Sequence, residues 1–292
     1  MTTDGIVVID KPAGWTSHDV VARVRRQLGV KKVGHAGTLD PMATGVLIVG
    51  VLRATRLLGF LAGTDKEYLA TMRLGAATNT DDADGDVIAA ADASGVTDDA
   101  VLAATRALTG DIMQVPSSVS AIKVDGVRAY KLARAGESPE LPARPVRVAE
   151  FEVLARSGVD VDVRVVCSSG TYVRALARDV GATLGVGAHL TVLRRTRVGS
   201  FTLADAQVLD GPGDLLIIRL ADAVAATFPR LDVDEDTARR IGQGQKVPLP
   251  GVLGPTGVFG PDGSVVALVE PRDDGTSRSL VGFVGASSSV AG

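Results

Sequence analysis

Residues 34–45 read GHAGTLDPMATG and run directly into the apolar stretch Val46-Leu47-Ile48-Val49. A histidine, a lone carboxylate and several small or helix-breaking residues thus adjoin what reads as a buried strand. A carboxylate so close to an apolar interior is costly to desolvate unless something stabilises it. Asp40 therefore either caps local structure or does chemistry. For an isolated Asp-Pro pair the cap is the commoner reading, so the rest of the chain has to decide.

The 292 residues suit one large domain with a small companion. A hydrophobic fraction of 46% allows a sizeable core, and with aromatics at 3% that core must be built of Val, Leu, Ala and Ile. GIVVID (5–10) reads as a strand. Ser17 is placed to cap a helix to about Leu28, because Val20, Val21, Val24 and Leu28 share a helical face, and Gly29 can stop it. A strand over about 45–51 follows the loop. EYLATMRLG (67–75) alternates as a strand does, AATNTDDADGD is a polar turn, and 98–110 is a helix ended by Gly110. Asp125-Gly126 marks a tight hairpin and AYKLARAG a helix ending at Gly136. VRVAEFEVLA and VDVRVVCSS are strongly β. GTYVRALARDVGATLG is helical, with Tyr172, Leu176 and Val180 in line and Gly185 at its end. LLIIRLADAVAA reads as helix and FPRLDV as a break. Beyond Leu231 a short helix, glycine turns and short strands form a small β-rich module. The tail GASSSVAG is expected to be disordered.

The net charge of −3, from 31 basic and 34 acidic residues, does not advertise a polyanion partner. The charge is uneven, however. Arg23, Arg25, Arg26, Lys31 and Lys32 have no acid among them, and Arg194, Arg195 and Arg197 form a second cluster. Such runs are usually solvated faces, yet one basic face is enough to bind nucleic acid. The single cysteine, Cys167, excludes an intrachain disulfide and reads as a buried strand thiol. No run of ~18 apolar residues is present, and the first residues lack a basic segment followed by an apolar one. The expectation is a cytoplasmic protein with no membrane partner. Neither HExxH nor CxxC occurs, nor GxxxxGK[ST], GxGxxG or GxSxG. The turn from Thr80 fails the calcium-loop template, with Ala91 where its last ligand should be. No metal and no nucleotide cofactor are expected.

Four segments in order, KPAGWTS (11–17), GHAGTLDPMATGVL (34–47), KEYLATMRLG with TNTDDADG (66–85) and GTYVRALARDVG (170–181), resemble the bacterial tRNA pseudouridine-55 synthase family of the TruB type. PSSVSAIKVDGVRAYKLAR and GAHLTVLRRTRVGSF match further parts of that pattern, and the resemblance covers roughly residues 5–230. It implies an α/β (α+β) catalytic domain over 1–230 with a mixed, mainly antiparallel sheet. It also implies a PUA-like RNA-binding module over 231–283, resting on RRIGQGQKV and the strand pattern, before the tail 284–292. By the same resemblance Asp40 is the catalytic aspartate, Tyr68 lies beneath the target base and Arg174 pairs with the aspartate. Leu193 and Tyr172 belong to the pocket, His35 enters the RNA loop in place of the extruded base, and Lys11 with Pro12 supports the active site. The implied partner is the T arm of tRNA, the implied state a monomer.

The chemistry agrees with those residue types. Turning uridine into its C-glycoside requires the N1–C1′ bond to break and the ring to rejoin through C5. A carboxylate can act at ring C6, act at C1′ or assist elimination, and the residues do not choose among these. A guanidinium partner favours the charged carboxylate and holds its orientation. A base inside a folded RNA loop must flip out, at a few kcal/mol, and the glycines of the loop would let its backbone approach RNA. Nothing is oxidised or hydrolysed, so no cofactor is required. Two rivals remain, a non-catalytic RNA chaperone on the same fold and an acid–base hydrolase pairing Asp40 with a second carboxylate. No partner carboxylate stands out for the second.

Overall fold

The computed structural model describes residues 3–117, 123–124, 127–128, 141–209 and 214–283. The chain opens with β1 (Gly5–Lys11) and α1 (Ser17–Leu28). Thr16, not Ser17, caps this helix. Its hydroxyl accepts the Asp19 N–H while the Asp19 carboxylate accepts the Thr16 N–H, a reciprocal box that satisfies two end donors. Gly29 closes the helix in the left-handed conformation. The strand β2 (Val33–Ala36) takes up the first residues of the expected loop and pairs with β3 (Thr44–Val51). Next come α2 (Leu58–Gly63) and β4 (Lys66–Leu74). The expected polar turn is partly a small hairpin, β5 (Ala76–Thr78) with β6 (Val87–Ala90). The helix α3 (Asp98–Ala107) stops before Gly110, which instead begins β7 (Gly110–Gln114).

The short strands β8 (Lys123–Val124) and β9 (Val127–Arg128) pair with Val124 opposite Val127. The expected turn at Asp125-Gly126, the expected helix ending at Gly136 and the tail 284–292 lie outside the described residues. The chain continues through β10 (Arg144–Ser157), β11 (Asp160–Cys167), α4 (Val173–Thr183), β12 (Ala188–Val198) and β13 (Phe201–Thr202). The run LLIIRLADAVAA is helical only in α5 (Leu220–Thr227). Ahead of it, β14 (Ile218–Arg219) adds to the free edge of β1, and Gln207 bonds both backbone groups of Leu216. A second sheet follows from β15 (Arg230–Asp232), where a break was expected. It continues after α6 (Glu235–Gly242) with β16 (Thr256–Phe259), β17 (Val265–Pro271) and β18 (Ser277–Gly282).

The main sheet runs β14-β1-β3-β12-β4-β11-β10-β7, with β2 on β3 and β13 on β12. Every neighbouring pair is antiparallel except β3 with β12, which touch in parallel at Arg194 opposite Thr44 and Arg195 opposite Gly45. That junction lies between the third and fourth strands of the order. Gly45 there has φ +104°, and a Cβ on it would lie 2.1 Å from the Arg195 carbonyl oxygen, so only glycine allows the strands this close.

The strands β1 and β3 are buried on both faces, which is why they read as unbroken apolar runs. Val7 and Ile9 of β1, with Leu47, Val49 and Val51 of β3, face the core beneath α1 and α4. Ile6, Val8, Val46 and Ile48 face a second core, shared with Phe259, Val265, Leu268 and Phe283 from the second sheet and its end. The strand β4 alternates strictly, with Lys66, Tyr68, Ala70, Met72 and Leu74 all inward. The fold class is therefore the expected one, α/β with a mixed, mainly antiparallel sheet and a small β-rich second sheet.

Candidate active site

Three buried side chains hold the loop that carries Asp40. Lys11, at the end of β1, donates from Nζ to the carbonyls of Pro12 (2.8 Å), Trp15 (2.7 Å) and Pro41 (3.2 Å). Burial lowers its pKa to about 8, against the opposing pull of the Asp40 charge. Ser17 accepts the Leu39 N–H (2.9 Å) and donates to the Leu39 carbonyl (3.2 Å). Arg195, from β12, donates to the carbonyls of Val46 (2.7 Å), Gly37 (3.2 Å) and Thr38 (3.4 Å). The loop backbone is thus bonded from 37 to 41, leaving the Asp40 side chain about one-third exposed.

The partner of Asp40 comes from the first turn of α4. Arg174, with only 4% of its side chain exposed, donates from Nε to Asp40 Oδ2 (3.0 Å) and from Nη2 to Oδ1 (3.2 Å). This two-pronged geometry is the one guanidinium is shaped for. Its third nitrogen, Nη1, donates to the Thr80 carbonyl (2.7 Å) and lies 3.5 Å from the Asp82 carboxylate. Asp82 is buried. Its desolvation raises its pKa, and the Thr80 hydroxyl and Arg174 oppose that rise. The acidic turn after β5 therefore holds the far side of the arginine.

Tyr68 sits on β4, in register with Arg195 of β12 on one side and Val165 of β11 on the other. Burial raises the pKa of its hydroxyl while the neighbouring Arg195 lowers it. The net shift is upward, so the phenol keeps its proton at neutral pH. Lys66, two residues earlier and on the same face, donates to the carbonyls of Ala62 and Thr64. Burial, then the nearby Arg195 charge, bring its pKa down to about 8.

These groups surround a cavity of about 270 Å³. Its lining includes Leu39, Asp40, Lys66, Tyr68, Tyr172, Arg174, Leu193 and Arg195, and the 168–171 loop completes it. Of the residues singled out in the sequence, Asp40, Tyr68, Tyr172, Arg174 and Leu193 converge here. Lys11 stands behind the lining, as a tie for the loop. His35 is outside the cavity on β2, its ring edge-on to His18 at 5.5 Å. Burial and then the neighbouring His18 lower the His35 pKa.

Lys66, Asp82 and Arg195 were not singled out as pocket residues. Two of them had a signal. Lys66 is two residues before Tyr68 in an alternating strand, and Arg195 two after Leu193, so each shares a face with a pocket residue. The cluster Arg194, Arg195 and Arg197 is accordingly no simple solvated face. Arg195 is 1% exposed, and Arg194 pairs with Asp10 at 2.7 Å. Among the described residues no three His, Cys, Asp or Glu side chains gather to hold a metal, and no helix is long and apolar enough to cross a membrane.

Comparison with known proteins adds an independent line. The pattern described as "TruB family pseudouridylate synthase (N terminal domain)" matches residues 25–173. Residues 174–211 match "tRNA pseudouridylate synthase B C-terminal domain", and 228–284 match "tRNA Pseudouridine synthase II, C terminal". The chain is 57% identical to tRNA pseudouridine synthase B of Thermobifida fusca, over 97% of this chain and 99% of that one. It is 58% identical to the protein of the same name from Rhodococcus jostii, over 95% and 93%. Among solved structures, a Cbf5-Nop10-Gar1 complex matches at a TM-score of 0.74 and 27% identity, over 96% of this chain and 85% of that one. An H/ACA RNP bound to a substrate RNA containing 2′-deoxyuridine matches at 0.72 and 25%, with the same coverages.

Proposed function

The chain belongs to the TruB family of pseudouridylate synthases, and from that premise we propose that it isomerises uridine 55 in the T loop of tRNA, with Asp40 as the reacting carboxylate. It is a pseudouridine synthase that acts on tRNA. The observation that carries the assignment of Asp40 is its two-pronged pairing with Arg174 at the edge of a cavity that also holds Tyr68.

In this reading the target nucleotide leaves the RNA loop and enters the cavity. Arg174 holds both carboxylate oxygens in a fixed orientation and is itself fixed by Thr80 and Asp82. Little reorganisation is then left for the reaction, which is where a preorganised site gains most. Attack at C6, attack at C1′ and assistance to elimination would all use the same carboxylate. The balance is the same on each route: N1–C1′ breaks, C5–C1′ forms, the C5 proton leaves and N1 regains a proton. Tyr68, neutral and packed between β11 and β12, offers its ring to the uracil face and its hydroxyl to proton transfer at C5. Leu193 and Tyr172 supply apolar walls.

His35, half-buried on the outer side of the Asp40 loop, would fill the place the base vacates. The second sheet would act as a PUA-like RNA-binding module over 231–283, beside a catalytic unit over 1–230. A monomer on the T arm, in the cytoplasm, is the working state this reading implies. Asp40→Asn should fold, bind tRNA with wild-type affinity and release no tritium from C5-labelled uridine. Normal release by that variant would remove Asp40 from the mechanism, and pseudouridine mapping at a site other than 55 would overturn the position.

A further inference from the structure

Arg174 can pair with Asp40 only if the first turn of α4 begins in the right place, yet this helix has no side chain of its own to cap it. Its N-cap is Tyr172, whose side chain makes no capping bond. The backbone of Tyr172 is held from elsewhere. Gln114, the last residue of β7 and only 2% exposed, accepts the Tyr172 N–H at Oε1 (2.9 Å) and donates from Nε2 to the Tyr172 carbonyl (3.1 Å). The amide thus reproduces one rung of a strand pairing, 58 residues away in sequence and two residues before Arg174.

A second tie lies one turn along the same helix. Arg178 donates to the Val115 carbonyl (2.7 Å), the residue after Gln114, and pairs with Asp81 at 3.3 Å. The edge strand and the first turns of α4 are therefore joined at two points. Ser17 grips the backbone of Leu39 in the same double fashion, one residue before Asp40. Each partner of the Asp40–Arg174 pair follows closely on a residue clamped by a buried side chain.

We infer that Gln114 is a positioning residue for pseudouridine formation, setting the start of α4 so that Arg174 meets Asp40 squarely. The role needs an amide. Glutamate keeps the acceptor for the Tyr172 N–H but turns a lone pair against the Tyr172 carbonyl, and leucine, one atom shorter, supplies neither bond. Misplacement of a catalytic group by about 1 Å costs on the order of 100-fold in rate. The inference rests on the proposed roles of Asp40 and Arg174.

The test uses full-length Gln114→Leu and Gln114→Glu beside the wild type and Asp40→Asn. The readouts are single-turnover tritium release at saturating enzyme, tRNA affinity by filter binding, and thermal unfolding. Expected is a rate constant at least ~10-fold lower for leucine, a smaller loss for glutamate, and tRNA affinity within about twofold of wild type in both. Wild-type rates in both variants would overturn the clamp. So would losses of rate and affinity in equal proportion that track the melting temperature, since a purely structural residue behaves that way. If the leucine variant does not fold, the glutamate variant decides by the same criteria. Release by the wild type and silence of Asp40→Asn check the underlying function separately, and a silent wild type would sink both readings.

Discussion

At the scale of single residues, the site places cations in dry surroundings with carbonyls for partners. Lys11 is the clearest case. It is fully buried and tied to three carbonyls, with a pKa of about 8 against an ordinary 10.5. The sign of its effect on stability follows. Between pH 8 and 10.5 the folded protein has lost this proton and the unfolded chain retains it, so the unfolded state binds more protons and stability rises with pH across the window. Below pH 8 both states are charged and the folded state bears the full burial cost, about 3 kcal/mol at most. The stability of wild type relative to Lys11→Met should therefore increase from pH 8 to 10.5 in urea unfolding. A relative stability that falls across that range would mean the lysine gains a net partner on folding. Arg174 differs because two carboxylates face it, one of them open to the cavity and one buried. The residue types of the Asp40–Arg174 pair were legible in the sequence. Asp82, which belongs to no local pattern, was not, because only the fold of the acidic turn brings it to Nη1.

At the scale of elements, strands were legible where their faces alternate or where both are apolar, as in β4 and β3. Ends were less so. Thr16 displaced Ser17 as the cap because Ser17 is drawn inward to Leu39, and Gly110 opens a strand because β7 pairs with β10 from that residue on. The run LLII was split because a free sheet edge competes with helix for β-branched residues. Helix α4 carries a prediction of its own. Replacing an interior helical glycine by alanine ordinarily stabilises by about 1 kcal/mol. At Gly181 the added Cβ would stand 2.1 Å from the Ala188 nitrogen and 2.3 Å from the Gly187 carbonyl carbon, both backbone. Gly181→Ala should instead destabilise by about 2 kcal/mol or more, as overpacking does. An unchanged or raised melting temperature would show that the turn from α4 into β12 yields freely.

At the scale of the whole molecule, the two sheets share an interior. Phe259, Val265, Leu268 and Phe283 cover Ile6, Val8, Val46 and Ile48, and Arg53 and Arg56 donate to the carbonyls of Phe283 (2.8 Å) and Gly282 (2.7 Å). Calorimetry of the full chain should show one transition, with matching calorimetric and van't Hoff enthalpies. A fragment ending at residue 227 should aggregate, because it uncovers the rear face of β1 and β3. Two separate transitions, or a soluble folded fragment, would contradict a shared core. The sequence by itself determined the residue chemistry, the periodicities of β4, α1 and α4, and an ordered set of motifs dense enough to mark the family. Those properties are local, written in neighbours a few positions apart. Only the tertiary structure decided which groups Arg195, Asp82 and Gln114 hold. Their partners lie tens to more than a hundred residues away, and strand order and close packing, which no short window of sequence encodes, bring them together.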